Sequence, residues 1–244
     1  MRVISIFICV FLCGSLSEAC AEDITPSFSQ KLDIQVRYDN RSNRPSREQY
    51  RLRYYPSLAL TSTWSVNSFI VTGDDFSSSH NTFGSDTTDY LYARRLYLRH
   101  ETNAGKTELG IIPTYKGRVS STGLSKDGWI TGIRHVRKLQ NNTALEIVVG
   151  QLANAEASEA FNVGEEDEYF EIEYSAKMGE RHSYEASFER MLNGTFARAE
   201  YRFRINEEDT AFVELVQRTD ESAAKIVVGT SGEFAASAFN TSYP

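Results

Sequence analysis

The sequence predicts an all-β protein, a transmembrane antiparallel up-and-down β-barrel of about 12 strands. Three observations carry that expectation. Apolar and polar residues alternate at every second position in segment after segment. The segments run to about ten residues, the length a tilted strand needs to cross a bilayer. The connections between them read alternately long and polar, then short and turn-like.

The first 21 residues are expected to be a signal peptide, removed by cleavage. Arg2 gives a positive start, and Val3 to Leu12 is an apolar run too short for a stable anchor. Ala19-Cys20-Ala21 forms a small-x-small cleavage site, making Glu22 the first mature residue. The alternatives are a retained membrane helix, or a lipoprotein lipidated at Cys20, against which Ser17 stands where leucine is usual. All three cysteines (Cys9, Cys13, Cys20) lie in this segment. A cleaved chain therefore has no disulfides, thiolate metal sites or cysteine nucleophiles.

The strands follow in order. Leu32, Ile34, Val36 and Tyr38 alternate with Asp33, Gln35, Arg37 and Asp39, and Tyr50, Leu52 and Tyr54 with Arg51 and Arg53. Further strands are expected near 64–73, 89–100, 106–113, 128–138, 143–152, 168–177, 182–192, 195–205, 210–218 and 223–234. In 168–177, Phe170, Ile172, Tyr174 and Ala176 interleave with Glu171, Glu173, Ser175 and Lys177. Segment 128–138 shows no clear facing. Arg94 and Arg95 break the alternation, and a bulge is expected there, since neighbours on a regular strand point to opposite faces. The long connections are 41–48, 74–88, 114–127 and 153–167; the short ones are 61–63, 101–105, 139–142 and 178–181. Such asymmetry fits a barrel with short turns at one rim and longer loops at the other. The barrel is assigned residues 22–234, and residues 235–244 a tail or a last strand.

One hairpin fixes an expected register. Asn193-Gly194 between alternating runs signals a two-residue type I′ turn. Leu192 would then oppose Thr195, Glu189 would oppose Arg198, and Glu185 would oppose Arg202. Charged pairs fall on one face and pairs such as Tyr184–Phe203 on the other. In hydrocarbon every backbone donor and acceptor must be paired internally, so a spanning sheet has to close. The apolar face then looks to lipid and the charged face into the barrel. A mean hydropathy of −0.41 is compatible, because only half of each strand need be apolar. A soluble β-sandwich or lipocalin-like barrel would also explain one hairpin, but twelve strands would need a large apolar filling. These faces are rich in Tyr and Phe and modest in Leu and Ile.

At this point the residues support a resemblance. DYLYARRLYLRHETNAGKTELGIIP (89–113) resembles the middle of Gram-negative outer-membrane porins, with SKDGWITGIRHV (125–136) and LEIVVGQL (145–152) of similar character. KIVVGTSGEF (225–234) resembles the closing strand of such barrels, although ten residues follow Phe234. The resemblance implies a Gram-negative outer-membrane location, a setting of membrane lipid and lipopolysaccharide, recognition by the barrel assembly machinery, and room for a homo-oligomer.

Charge sharpens the functional reading. Residues 22–134 hold 15 Lys+Arg and 12 Asp+Glu; residues 135–244 hold 10 and 20. An acidic chain without a basic, aromatic-interleaved patch is not expected to bind nucleic acid. The expected pore lining is Arg37, Arg51, Arg53, Arg95 and Arg99 on the early strands, and Glu171, Glu173, Glu185, Glu189, Arg198, Arg202 and Arg204 on the later ones. Opposed basic and acidic walls would filter small polar or charged solutes. The alternative is a plug in which Glu185–Arg202 and Glu189–Arg198 neutralise each other. No cofactor is implied and no enzyme is expected. His80, near Asp74, Asp75 and Ser77–Ser79, is the one candidate base beside candidate nucleophiles, and a solvated loop histidine explains it as well. No histidine–carboxylate spacing suggests zinc. The acidic run 164–168 could hold Ca²⁺ or the cations that bridge lipopolysaccharide, but it lacks the spacing of a calcium loop. The remaining alternatives are a non-conducting adhesion barrel and a membrane lipid hydrolase.

Overall fold

The computed structural model describes residues 26–40, 45–73, 79–84, 91–114, 127–152, 156–162, 168–191, 194–236 and 239–242. The expected signal segment, Asn193, Asp74, Asp75, Ser77, Ser78 and most of the acidic run 164–168 lie outside the described residues.

Alternation alone commits most of this chain to strands, and strands are what it forms. They are β1 (Ser27–Asp39), β2 (Arg47–Ala59), β3 (Trp64–Thr72), the two-residue β4 (Asn81–Thr82), β5 (Leu91–Thr102), β6 (Gly105–Pro113), β7 (Trp129–Lys138), β8 (Thr143–Gln151), β9 (Glu168–Met178), β10 (His182–Met191), β11 (Gly194–Arg204), β12 (Thr210–Arg218) and β13 (Ala223–Ser231). The one helical element described is a single 3-10 turn at Ala157–Glu159. Twelve strands form one antiparallel path in chain order, β1-β2-β3-β5 through β13, with β4 paired to β2 beside it. Each of these twelve strands pairs with the next along the path, which defines an up-and-down meander.

The burial pattern is inverted relative to a water-soluble sheet. On β12, Glu214 is 0% exposed while its neighbours Val213 and Leu215 are 39% and 44% exposed. On β6, Glu108 is fully buried and Leu109 is exposed. The same holds for Glu171 between Phe170 and Ile172, and for Glu189 beside Phe188. Exposed apolar and buried ionic side chains in strict alternation are what a hydrocarbon solvent selects. The fold is thus a transmembrane antiparallel β-barrel sheet of twelve principal strands. With twelve strands of alternating direction, β1 and β13 run antiparallel, the sense required to close the ring. Among the described residues these two end strands are not paired with each other, and both are broadly exposed.

Two local features depart from simple alternation. Phe69 opposes Arg95 and Ile70 opposes Ala93, so Arg94 is the extra residue of a β-bulge. The bulge lets both arginines be buried, Arg94 at 0% and Arg95 at 8% exposure. The 182–205 hairpin corrects the expected register. Met191 opposes Gly194, Glu185 opposes Glu200 and Ser187 opposes Arg198, a slide of two residues that leaves every side chain on its expected face. The physical reason lies at Gly194. It enters β11 rather than the turn, and the Phe196 ring packs so close that a Cβ there would stand 2.9 Å from it.

The closing strand also ends earlier than 223–234 implies. β13 stops at Ser231, and Phe234 lies in β14 (Glu233–Ala236), which pairs only with β15 (Phe239–Ser242) as a separate two-stranded sheet. Gly232 marks the break, packed against Asp209 with no room for a Cβ.

Candidate functional site

Period-two alternation places one row of inward side chains across six strands: Arg99, Glu108, Arg134, Val148, Glu171 and Glu189. Around this row the interior charges sort into three groups.

The basic group belongs to β1, β2 and the β5 bulge. In the β1–β2 ladder Asp33 opposes Arg53, Gln35 opposes Arg51 and Arg37 opposes Gln49. Arg37 donates from Nε and Nη2 to Gln49 Oε1 at 2.8 and 2.6 Å. Arg53 Nη2 meets Asp127 Oδ2 at 2.6 Å, and Ser79 Oγ donates to the same oxygen at 2.7 Å. Arg95 Nε donates to the Gly128 carbonyl at 2.8 Å and its guanidinium lies 4.6 Å from the Phe69 ring centre. Arg94 Nη2 donates to the Gly73 carbonyl at 2.5 Å. The segments before β4 and before β7 thus fold back onto the arginine face. Burial alone would push the Asp127 carboxyl up, but the hydrogen bonds from Ser79 and Arg53 and the charge of Arg53 and Arg95 hold it below the usual carboxylate range.

The central group was not legible in the sequence. Glu108 is fully buried and takes Arg99 at 2.8 Å and Arg134 at 2.9 Å. Arg134 also meets Glu146 at 2.9 Å. Arg99 therefore belongs to this group rather than to an open basic wall. The acidic group spans β9 to β12. Arg198 contacts Glu173 (3.2 Å), Glu185 (3.1 Å), Glu200 (3.3 Å) and Glu214 (3.5 Å). Arg202 contacts Glu185 at 2.8 Å and Glu200 at 2.5 Å. Tyr169 donates to Glu171 and Ser187 to Glu189. The expected Glu185–Arg202 pair is present, but diagonally across the ladder. Arg198 turns to four other carboxylates, because the two-residue slide sets Ser187, not Glu189, opposite it. Arg204 is exposed at the short-turn rim and joins neither group.

From the level of Val148 toward the long-loop rim the interior is apolar and packed: Ile112, Ile130, Val148, Leu152, Tyr169 and Met191 form one cluster. Between Val148 and the Ile112–Ile130–Leu152 level a row of glycines crosses the inner face, Gly110 opposite Gly132 opposite Gly150, flanked by Tyr97 and Tyr169. Glycine is required there, because a Cβ on Gly132 would overlap the Val149 carbonyl.

The loop histidine is not set up for nucleophilic catalysis. Ser79 Oγ donates to Asp127, whereas His80 Nε2 contacts Gln35 Oε1 at 3.1 Å. Burial, then the nearby charges of Arg37, Arg51 and Arg53, push His80 down to about 4. Two outward histidines sit among aromatics near the short-turn rim. His100 stacks on Trp64 at 4.4 Å, and His182 lies 2.6 Å from the Tyr201 hydroxyl and 5.2 Å from the Phe203 ring. Amphipathic rings of this kind favour a membrane–water boundary.

Apolar exterior, ionic interior and a twelve-strand meander together define the class, a transmembrane antiparallel β-barrel. No protein-family model and no curated protein matches the chain. Solved structures do match in fold. One, described by the asymmetric conductivity of engineered proteins, has a TM-score of 0.57 at 12% identity, covering 87% of this chain and 81% of that one. Two mutants of the Rh. blastica porin follow with TM-scores of 0.56 and 0.55, each at 10% identity and the same coverage. The resemblance drawn from residues 89–113 thus holds at the level of fold.

Proposed function

We propose that this chain is an outer-membrane channel for passive diffusion of small polar or charged solutes, set in lipid and lipopolysaccharide. The single observation that carries the reading is the distribution of charge on the inward face. In a ring of twelve, the strand six places from β2 is β9. Arg37, Arg51, Arg53 and Arg95 with Asp33 and Asp127 have a formal charge of +2. Glu171, Glu173, Glu185, Glu189, Glu200 and Glu214 with Arg198 and Arg202 have −4. Walls of opposite sign across a water-filled passage order polar solutes and bias ion flow. No covalent step is involved.

A second reading, a non-conducting barrel, draws on a different observation. The acidic group is nearly dry, with Glu171, Glu189 and Glu214 at 0% exposure, and the apolar cluster above it is packed. Any passage therefore runs along the β1–β2 side. Planar-bilayer recording separates the two readings. Discrete steps in conductance are expected from the purified chain, and a current equal to that of bare lipid overturns the channel reading.

A further inference from the structure

The early strands carry cations that the internal ion pairs leave unused. Arg37, Arg51 and Arg53 share one face of the β1–β2 ladder. Opposite positions on such a ladder stand about 5 Å apart and diagonal ones about 7–8 Å, within reach of long side chains. Arg53 is matched by Asp127. Arg37 gives its hydrogen bonds to a neutral amide oxygen of Gln49. The side chain of Arg51 makes no ion pair and no hydrogen bond among the described residues, and its Nε is buried without a partner. The segment bearing His80 is held over this face by two tethers. Gln49 Nε2 donates to Thr82 Oγ1 at 3.1 Å, and His80 touches Gln35, the residue opposite Arg51. Two guanidinium groups without a carboxylate partner, an imidazole nitrogen and a glutamine amide therefore meet at the long-loop mouth. A planar guanidinium fork matches the paired oxygens of a carboxylate or phosphate and accommodates a spherical ion less specifically.

We infer that Arg37 and Arg51, with His80 at their edge, form a binding site for an oxyanion, the carboxylate or phosphate group of an incoming solute. The solute's onward passage rests on the channel reading; the binding itself does not.

The test is calorimetric titration of the folded, detergent-solubilised chain with inorganic phosphate, and separately with acetate, in a constant potassium chloride background. Saturable binding of both is expected. Arg51→Gln should weaken it tenfold or more. Arg51→Lys, which keeps the charge but loses the fork, should weaken it several-fold. Arg181→Gln, in the turn at the opposite rim, should leave it unchanged. Heat-modifiable gel migration checks folding; should Arg51→Gln fail that check, Arg37→Gln on the exposed first strand carries the same test. Absence of saturable binding to the unmodified chain, or affinity equal to the parent's in both Arg51→Gln and Arg37→Gln, overturns the site. Binding abolished by raising chloride alone, with Arg51→Lys equal to the parent, also overturns it in favour of plain charge attraction. Phosphate binding that depends on Arg51 in a chain that passes no current supports the site and removes the channel reading.

Discussion

Replacing Arg198 by glutamine tests the interior network at its centre. The side chain has four carboxylates within 3.5 Å, on Glu173, Glu185, Glu200 and Glu214. It is 3% exposed, and Glu200 and Glu214 are 2% and 0% exposed. Water cannot take over the lost charge. Breaking a buried pair by removing one partner costs about 3–5 kcal/mol, because the other charge stays buried and uncompensated. Arg202 remains against Glu185 and Glu200, so the lower half of that range is expected, still a large part of the roughly 5–15 kcal/mol that holds a folded domain. The assay is reversible urea unfolding in lipid vesicles, followed by tryptophan fluorescence. Repeating it in a Glu214→Gln background should recover a coupling of about 0.5–3 kcal/mol, the range for residues in one ion-pair network. A loss within about 0.5 kcal/mol, the usual scale of an innocuous surface change, would refute the claim that this charge is buried among carboxylates.

Three further outcomes are expected. Val213→Arg, on the outward face of β12, should cost about 2–4 kcal/mol in vesicle unfolding if it sits near the bilayer midplane, whereas Glu207→Arg in the short turn should change little. Gly132→Ala should destabilise by about 1–3 kcal/mol, since its Cβ has no space beside Val149, and the loss will read directly in the urea midpoint. His80 titrates near 4 in the folded chain instead of 6.5, so the unfolded chain takes up its proton first as pH falls. Stability should therefore decline between about pH 6.5 and pH 4 and level off below, a slope that His80→Gln loses and that the difference between parent and His80→Gln unfolding curves isolates.

Facing was legible in this sequence and register was not, for one reason. Alternation has a period of two, so a slide of two residues in the 182–204 hairpin satisfies it equally well. In the observed register Gly194 enters β11 with the Phe196 ring packed against it, a contact invisible to a pattern. The bulge was legible because adjacent arginines cannot both obey the alternation. The facing of β7 was hidden because both of its sides are apolar near the long-loop rim. Ile130 points into the packed interior, while Trp129, on the opposite parity, is covered by Ile111, Ala157 and Ala160. That obscurity concealed Arg134, and with it the buried Glu108 it holds. Glu214 was readable in principle, as the charged centre of the alternating AFVELVQR. The partner of Arg53 was not, since Asp127, like the Ser79 that donates to it, comes from a polar connection with no periodicity to place it.

The most direct measurement uses the absence of cysteine from residues 22–244. Single cysteines at Ala186, Ser187 and Phe188 of β10, each carrying a small fluorophore, are reconstituted into bilayers of brominated phospholipid. Ala186 and Phe188 are exposed and Ser187 is buried among ionic side chains, so quenching should be strong at 186 and 188 and weak at 187. Quenching confined to 187, or absent at all three positions in a folded chain, would contradict an exterior dissolved in acyl chains.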